Sequence, residues 1–417
     1  MWAGVATPRF VIVGAGLAGA KTADALREQG FDGELVLLGA EADPPYNRPP
    51  LSKDYLQGAT ARDAIAVHEP GWYAAHDVHL RTGTTVAGID RGARQVELVG
   101  GERLDYDKLA LATGSSPREL AIPGANLDGV HSLRNLGDSE RLRAAIASGD
   151  RMVVVGAGWI GLEVAAAARL AGVEVTIVEP EPQPLLRALG PEMGAVFAAL
   201  HRDHGVDLRL NTGITEIAGD GNHVTGVRLS DRTRLDAATV LIGVGATPNT
   251  TLAEQAGLSV HDGVVVDATL ATSDPDIVAV GDIARVEHPG LGHRVRVEHW
   301  QNALDQPPTA AATMRGQPAR FENLPYFFTD QYDLGMEYLG HVDPGGYDQV
   351  VVRGDTTSRE FLAFWTRAGR VLAGMNVNIW DVTDDVTALI QADTPVDLDR
   401  LADSTVPLNQ LLPTTTK

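Results

Sequence analysis

Two glycine triplets at one shared spacing carry the clearest chemistry in this chain. The first is Gly14-Ala15-Gly16-Leu17-Ala18-Gly19 and the second is Gly156-Ala157-Gly158-Trp159-Ile160-Gly161. A run of this kind cradles a pyrophosphate when it joins a strand to a helix. The first glycine permits the tight turn, the second lets the backbone approach the anion, and the third lets helix and strand pack closely. The helix start adds free amides and a partial positive charge. A lone triplet is matched by ordinary glycine-rich turns. Two in the same frame point to two bound dinucleotides.

Charged residues near these runs are the next candidates. Glu179 follows the apolar run Glu174 to Val178, a little over 20 residues after Gly156, where the fingerprint asks for an acid. A carboxylate there accepts hydrogen bonds from both ribose hydroxyls and repels a 2′-phosphate. Pro180 and Glu181 come next and neither neutralises such a phosphate. NADH is favoured over NADPH, and Arg187 nearby keeps the second cofactor open. Glu41 is the matching acid of the first run, although it lies beyond Leu38, and an exposed loop glutamate is the plain alternative. Asp282 follows Ala279-Val280-Gly281 and suits either a cofactor contact or a helix N-cap. Glu163 sits two residues past Gly161, where the helix dipole alone favours an acid. Arg48 and Lys53 flank Pro49-Pro50, so their placement is preset, with surface solvation as the alternative.

The elements that must position these residues are legible in the pattern. Apolar, β-branched runs at Phe10 to Val13 and Met152 to Val155 precede the two triplets, and helix formers follow each. The strand Glu34 to Leu38 completes the first unit, and Glu174 to Val178 completes the second after a helix over Leu162 to Ala171. Val86 to Val99 reads as a small antiparallel sheet with a turn at Gly100-Gly101, and Val206 to Leu235 as a second hairpin region. Strands at Lys108 to Ala112 and Thr239 to Val244 end in Thr113-Gly114-Ser115-Ser116-Pro117 and Gly245-Ala246-Thr247-Pro248, so the two halves repeat one order of parts. From about Leu324 aromatic and β-branched residues mark a separate α+β domain, with turns expected at Pro344-Gly345-Gly346 and Arg353-Gly354-Asp355. The tail after Pro413 reads as disordered.

Composition narrows the chemistry further. The chain has 417 residues, 44% of them hydrophobic, which suits two or three ordinary domains. It contains no cysteine, which removes disulfide exchange, thiolate metal sites and cysteine nucleophiles. No metal site is expected. A net charge of −21 argues against nucleic acid and anionic membrane as partners. No apolar stretch approaches the roughly 20 residues of a membrane span, and Met1 to Arg9 is too short and polar for a signal peptide. A cytoplasmic protein is the expectation.

The order of motifs also carries a resemblance. Gly14-x-Gly-x-x-Gly, Arg48-Pro-Pro-Leu-Ser-Lys53, Ala112-Thr-Gly114, the second triplet, and Thr272-Ser-Asp-Pro-x-Ile-x-Ala-Val-Gly-Asp282 recur in the FAD-dependent ferredoxin reductases that serve oxygenases. Phe328-Thr329-Asp330-Gln331-Tyr332-Asp333 is similar to that family's C-terminal signature, so the likeness spans nearly the whole chain. It implies a glutathione reductase-like α/β architecture of two Rossmann-like domains and a C-terminal α+β domain. The FAD domain would comprise 1–117 and 247–323, the NADH domain 118–246, and an interface domain 324–417.

The resemblance also distributes roles. FAD would rest on Gly14, Gly16, Leu17, Ala18, Gly19, Glu41, Arg48 and Lys53, with Val86, Ala112, Thr113, Gly114 and Arg134 around it. Gly281, Asp282, Glu298, His299 and Trp300 complete that set. NADH would rest on Gly156, Gly158, Trp159, Ile160, Gly161, Glu163, Glu179, Arg187 and Gly245. Lys53 approaches the flavin ring, where a cation stabilises reduced flavin, and Glu163 reaches the nicotinamide carboxamide and pairs with Lys53. Hydride would pass from NADH to FAD, and single electrons onward to an acidic [2Fe–2S] ferredoxin met transiently by a monomer or weak homodimer. A small organic acceptor, oxygen, or a redox-sensing role without turnover are the alternatives. An acidic partner for an acidic chain calls for a local basic patch, sought among Arg285, His293, Arg294, Arg296, Arg315 and Arg320.

Overall fold

The computed structural model describes residues 7–412, so the tail after Pro413 lies outside the described residues. The chain divides into two compact units. The first takes the chain up to Arg48, Ala61–Ser116 and Thr247–Pro325. The second takes Pro49–Thr60, Pro117–Ala246 and the chain from Tyr326 onward. The sequence reading placed residues 49–60 in the first unit and set the C-terminal region apart.

The first unit is built on a five-stranded parallel sheet ordered Ile277–Ala279, Lys108–Leu111, Arg9–Val13, Glu34–Leu38, Val78–Arg81. Phe10 to Val13 and Leu35 to Leu38 are buried throughout, as strands covered on both faces require. The helix Leu17–Glu28 buries Leu17, Ala20, Ala23 and Leu26, a band reaching about half-way round it that is covered by the sheet and a neighbouring helix. It packs along Asn302–Met314, where Gln29 Nε2 donates to Pro308 O at 2.8 Å. A small antiparallel sheet of Val86–Asp90, Gln95–Leu98 and Arg103–Asp105 turns at Gly100 and Gly101, both at positive φ.

The second unit repeats the plan. Its parallel sheet runs Asp207–Arg209, Val175–Val178, Met152–Val155, Thr239–Ile242, Val130–His131. Asp207–Arg209 therefore pairs in parallel with Val175–Val178, and the antiparallel hairpin is confined to Ile214–Asp220, His223–Leu229 and Arg234–Asp236. The helix Trp159–Leu170 starts earlier than the pattern suggested. A helical segment over Leu186–Asp203, not expected from the sequence, is split in two by a kink at Gly190, at φ 82°, followed by Pro191. That break hides its periodicity.

The C-terminal part of this unit is an antiparallel sheet ordered Tyr326–Gln331, Leu334–Gly340, Arg370–Val377, Glu360–Arg367, Gln349–Asp355. Pro344 and Gly345 do turn the chain. Arg353-Gly354-Asp355 does not: it lies within the strand Gln349–Asp355, and the turn follows it. Gly354 is needed there on two counts: its φ of 111° favours glycine, and a Cβ would come within 2.6 Å of Glu360 O on the neighbouring strand.

His201, on the helix Leu186–Asp203, is fully buried, and burial pushes its imidazole down to about 4. The unfolded chain protonates this histidine near pH 6.5 while the fold resists to about 4. Stability is therefore intact above about pH 6.5 and lost as pH falls towards 4, by about 3 kcal/mol in all. We expect His201→Gln to flatten this acid limb, measured as urea unfolding free energy from pH 7 to pH 4.5. An identical slope in both proteins would remove His201 as its source.

Candidate functional site

Both triplets fold as strand–turn–helix, and each glycine has a separate job. Gly14 and Gly156 take φ 113° and 98°, where a Cβ would lie 2.1 Å from Ala112 O and 2.4 Å from Gly243 O. Gly19 and Gly161 touch the turn itself, with Cβ positions 1.9 Å from Gly14 O and 2.3 Å from Gly156 O. Gly16 and Gly158 differ. A Cβ at Gly16 meets nothing within 4 Å, and one at Gly158 meets only Gly243 O at 3.9 Å. These two are the N-caps of their helices, and neither helix has a side-chain cap. Each unit thus presents uncapped helix amides beside open space that a side chain would fill. That suits an anion and fits a dinucleotide pyrophosphate.

In the first unit the expected residues gather around short polar links. Glu41 accepts from the Tyr46 hydroxyl at 2.5 Å and from Arg48 Nη2 at 2.7 Å, so it is anchored rather than loose in its loop. Asp282 lies in the short 3₁₀ turn Gly281–Ile283 and caps no α-helix; its Oδ2 accepts from Ser115 Oγ at 2.7 Å. Gly281 is at φ 75°. Ala112, Thr113 and Gly114 leave the end of Lys108–Leu111, where Thr113 Oγ1 donates to Asn249 O and Asn249 Nδ2 donates to Thr113 O. Val86 is buried at the start of its strand. Glu298, His299 and Trp300 precede the helix Asn302–Met314, and Trp300 Nε1 donates to Asn47 Oδ1 at 3.1 Å. Ser115, Asn47 and Asn249 were not singled out in the sequence. Ser115 lies inside the Thr113 to Pro117 break, Asn47 directly before Arg48-Pro49-Pro50, and Asn249 directly after Thr247-Pro248, so each had a local signal that gave no role.

In the second unit Lys53 and Glu163 form a buried ion pair at 2.6 Å, with side chains 13% and 6% exposed. Glu163 is the fifth residue of its helix, past the first turn, so the dipole does little to explain it. Its Oε2 accepts from Ser52 Oγ at 2.5 Å and its Oε1 from Thr329 Oγ1 at 2.6 Å. Lys53 Nζ also lies 5.4 Å from the Phe328 ring centre. Burial raises the neighbouring Asp330 carboxyl above its usual range, with Lys53 opposing the shift and Glu163 adding to it.

Glu179 sits just past Val175–Val178 and accepts from Ala157 N at 2.7 Å and Glu181 N at 2.9 Å, so its carboxylate is fixed against the glycine turn. Arg187 is 82% exposed and pairs with Glu181. Gly245 takes φ 100° at the end of the Thr239–Ile242 segment. Trp159 packs edge-on to Phe197 and Phe327, and Ile160 is exposed. Arg134 precedes the helix Leu136–Ala147, its amide donating to Asp138 Oδ2.

The arginines considered for a basic patch are mostly neutralised in place. Arg294 pairs with Glu287, Arg320 with Glu322, and Arg285 with Asp262. Arg296 is only 10% exposed and holds Glu298, Asp262 and Asp282 O. It is an internal tether, not a docking charge.

Comparison with known proteins follows this geometry. Residues 8–306 match the pyridine nucleotide-disulphide oxidoreductase family, and residues 326–412 match the reductase C-terminal family. Rhodocoxin reductase of Rhodococcus erythropolis is 42% identical, covering 88% of this chain and 86% of its own. Putidaredoxin reductase of Pseudomonas putida is 39% identical, covering 98% and 97%. The solved covalent complex of putidaredoxin reductase with putidaredoxin has a chain that superposes with a TM-score of 0.93 at 38% identity, over 98% of each chain.

Removing the Arg296 guanidinium takes the cation from Glu298 and leaves Asp262 with the longer Arg285 contact alone. We expect Arg296→Ala to cost about 1–2 kcal/mol, the scale of lost hydrogen bonds to charged groups whose carboxylate partners stay partly in water, read as a lowered thermal midpoint. Arg294→Ala, at a more exposed pair, should stay within about 1 kcal/mol. Equal midpoints for the two variants would contradict the tether.

Proposed function

The chain belongs to the pyridine nucleotide-disulphide oxidoreductase family, and from that premise we propose that it is an NADH:ferredoxin oxidoreductase using FAD to feed the [2Fe–2S] ferredoxin of an oxygenase system. The observation that carries this reading is the pair of open cradles at Gly16 and Gly158, one for each dinucleotide. The absence of cysteine leaves no dithiol, so electrons go to an external acceptor instead of a protein disulfide. A bound flavin supplies the chemistry, taking a hydride from NADH and giving up electrons singly.

The chain supplies binding and orientation. Residues 1–117 and 247–323 hold FAD, with the cradle on its pyrophosphate, Glu41 on its adenosine ribose and Asp282, steadied by Ser115, on its ribityl and phosphate side. Residues 118–246 hold NADH, and residues 324–417 form an interface domain. Glu179, fixed by the Ala157 and Glu181 amides, keeps lone pairs for the ribose hydroxyls and sets a negative charge where NADPH would carry phosphate. Glu163 holds the nicotinamide carboxamide, and Lys53 is the cation provided for reduced flavin. Trp300 screens the flavin ring.

Three measurements test this reading. Purified protein should carry one non-covalent FAD, and Gly16→Val should yield folded apoprotein, because a Cβ at this position meets no protein atom within 4 Å. A fully flavinylated Gly16→Val variant would count against the first cradle. Glu179→Ala should narrow the preference for NADH by about 2–4 kcal/mol, the scale of charged hydrogen bonds; wild-type protein that already uses NADPH equally well ends that assignment. Stopped-flow reoxidation should be faster with a [2Fe–2S] ferredoxin than with quinone or oxygen. The opposite order would make a small acceptor the substrate.

A further inference from the structure

A line of buried hydrogen bonds leads away from Glu163 and ends on a histidine that the proposed function does not use. Thr329 Oγ1 donates to Glu163 Oε1 at 2.6 Å, and Gln331 Nε2 donates to Thr329 Oγ1 at 3.2 Å. His201 Nε2 meets Gln331 Oε1 at 2.9 Å, and the Tyr332 hydroxyl meets His201 Nδ1 at 3.3 Å. Thr329 and Gln331 share one face of the strand Tyr326–Gln331, and Glu163, Thr329, Gln331 and His201 are all buried.

The line has one workable direction. The Glu163 carboxylate, paired with Lys53, takes the Thr329 proton, and working outward from it leaves the His201 proton on Nε2, facing an acceptor, with Tyr332 donating to Nδ1. Gln331 therefore turns its carbonyl to His201 and its NH₂ to Thr329. The Thr329 hydroxyl, already accepting from Gln331, places its single proton on Glu163. Flipping any member sets two donors or two acceptors against each other out of reach of water, which is costly. A neutral imidazole is needed throughout, and the depressed His201 value of about 4 agrees with that.

We propose that His201 and Gln331 are positioning residues for NADH-dependent flavin reduction, acting through Thr329 on the orientation of the Glu163 carboxylate. This rests on the reading that places Glu163 at the nicotinamide. Glu163 Oε1 takes both Lys53 and Thr329, so the threonine proton sets how that oxygen is shared and which way Oε2 faces.

The test is a double-mutant cycle on holoenzyme. Two quantities are read: the limiting rate of anaerobic flavin reduction by NADH, and the affinity of oxidised protein for NAD⁺ by calorimetry. His201→Leu and Gln331→Met should each lower both by about 10-fold, the scale of a hydrogen bond to a charged group, while His201→Gln, which keeps a donor at the Nε2 position, restores most of the loss. In a Glu163→Gln background neither substitution should add a further change. Losses that simply add to that of Glu163→Gln would make the line ordinary core structure and overturn the proposal. So would unchanged rate and affinity in both variants when Glu163→Gln itself is impaired. Should His201→Leu not fold, the nearly isosteric Gln331→Met carries the same cycle. If Glu163→Gln alone changes neither quantity, the role of Glu163 fails first and the inference falls with it.

Discussion

Two backbones touch in each glycine turn, and much else follows from that contact. Gly19 lies so close to Gly14 O, and Gly161 to Gly156 O, that a single methyl group would push helix from strand. Only this approach aims the helix start at the strand end with its first amides open. The middle glycine then leaves room for an anion where other sequences would put a side chain. The parallel sheets, with their cores at Val11, Ile12, Val153 and Val154, are the rigid frame that holds the contact in place. Anion binding is thus a by-product of close packing.

The Lys53–Glu163 pair has a different character. Burying two charges costs several kcal/mol per ion before their attraction is counted, so stability alone is a poor reason to keep it. What surrounds the pair is a set of donors, Ser52 and Thr329, that fix the carboxylate in one attitude. The segment carrying Lys53 is itself held within the second unit: Ser139 Oγ donates to Leu51 O and Tyr55 OH to Glu140 Oε1. Prolines 49 and 50 start it as a 3₁₀ turn. Orientation, more than energy, is what this arrangement secures.

Legibility followed the range of the interactions. The triplets, their flanking strands and Glu179 were readable because turn, strand and helix requirements all fall within a few residues. Ser52 at Glu163, Ser115 at Asp282 and His201 at Gln331 were not, because their partners lie more than 100 residues away. The helix Leu136–Ala147 was overlooked although Asn135 and Asp138 form a capping box, a signal the sequence did contain. Gly190-Pro191 hid the helix Leu186–Asp203 for a real reason: the chain breaks its helical φ there. Gly354 misled because a glycine needed for strand approach looks like one needed for a turn. Arg285, Arg294, Arg296 and Arg320 looked free because charge counted along a sequence says nothing of the carboxylates that pair with it in space.

The chain passes between its two units at residues 48/49, 60/61, 116/117, 246/247 and 325/326. Neither unit is a continuous stretch, and this bears on synthesis. A ribosome releasing residues from the N-terminus delivers the first glycine turn early, but the edge strand Ile277–Ala279 of its sheet only after every strand of the second parallel sheet has emerged. At elongation rates of about 5–20 residues per second that interval is on the order of ten seconds or more. The nascent chain must wait through it with the flank of Lys108–Leu111 uncovered, an open edge of the kind that invites wrong pairing. On the assignment proposed above, the first dinucleotide would draw on Gly14 at one end and Asp282 at the other, so its capture would be a late event that closes the fold.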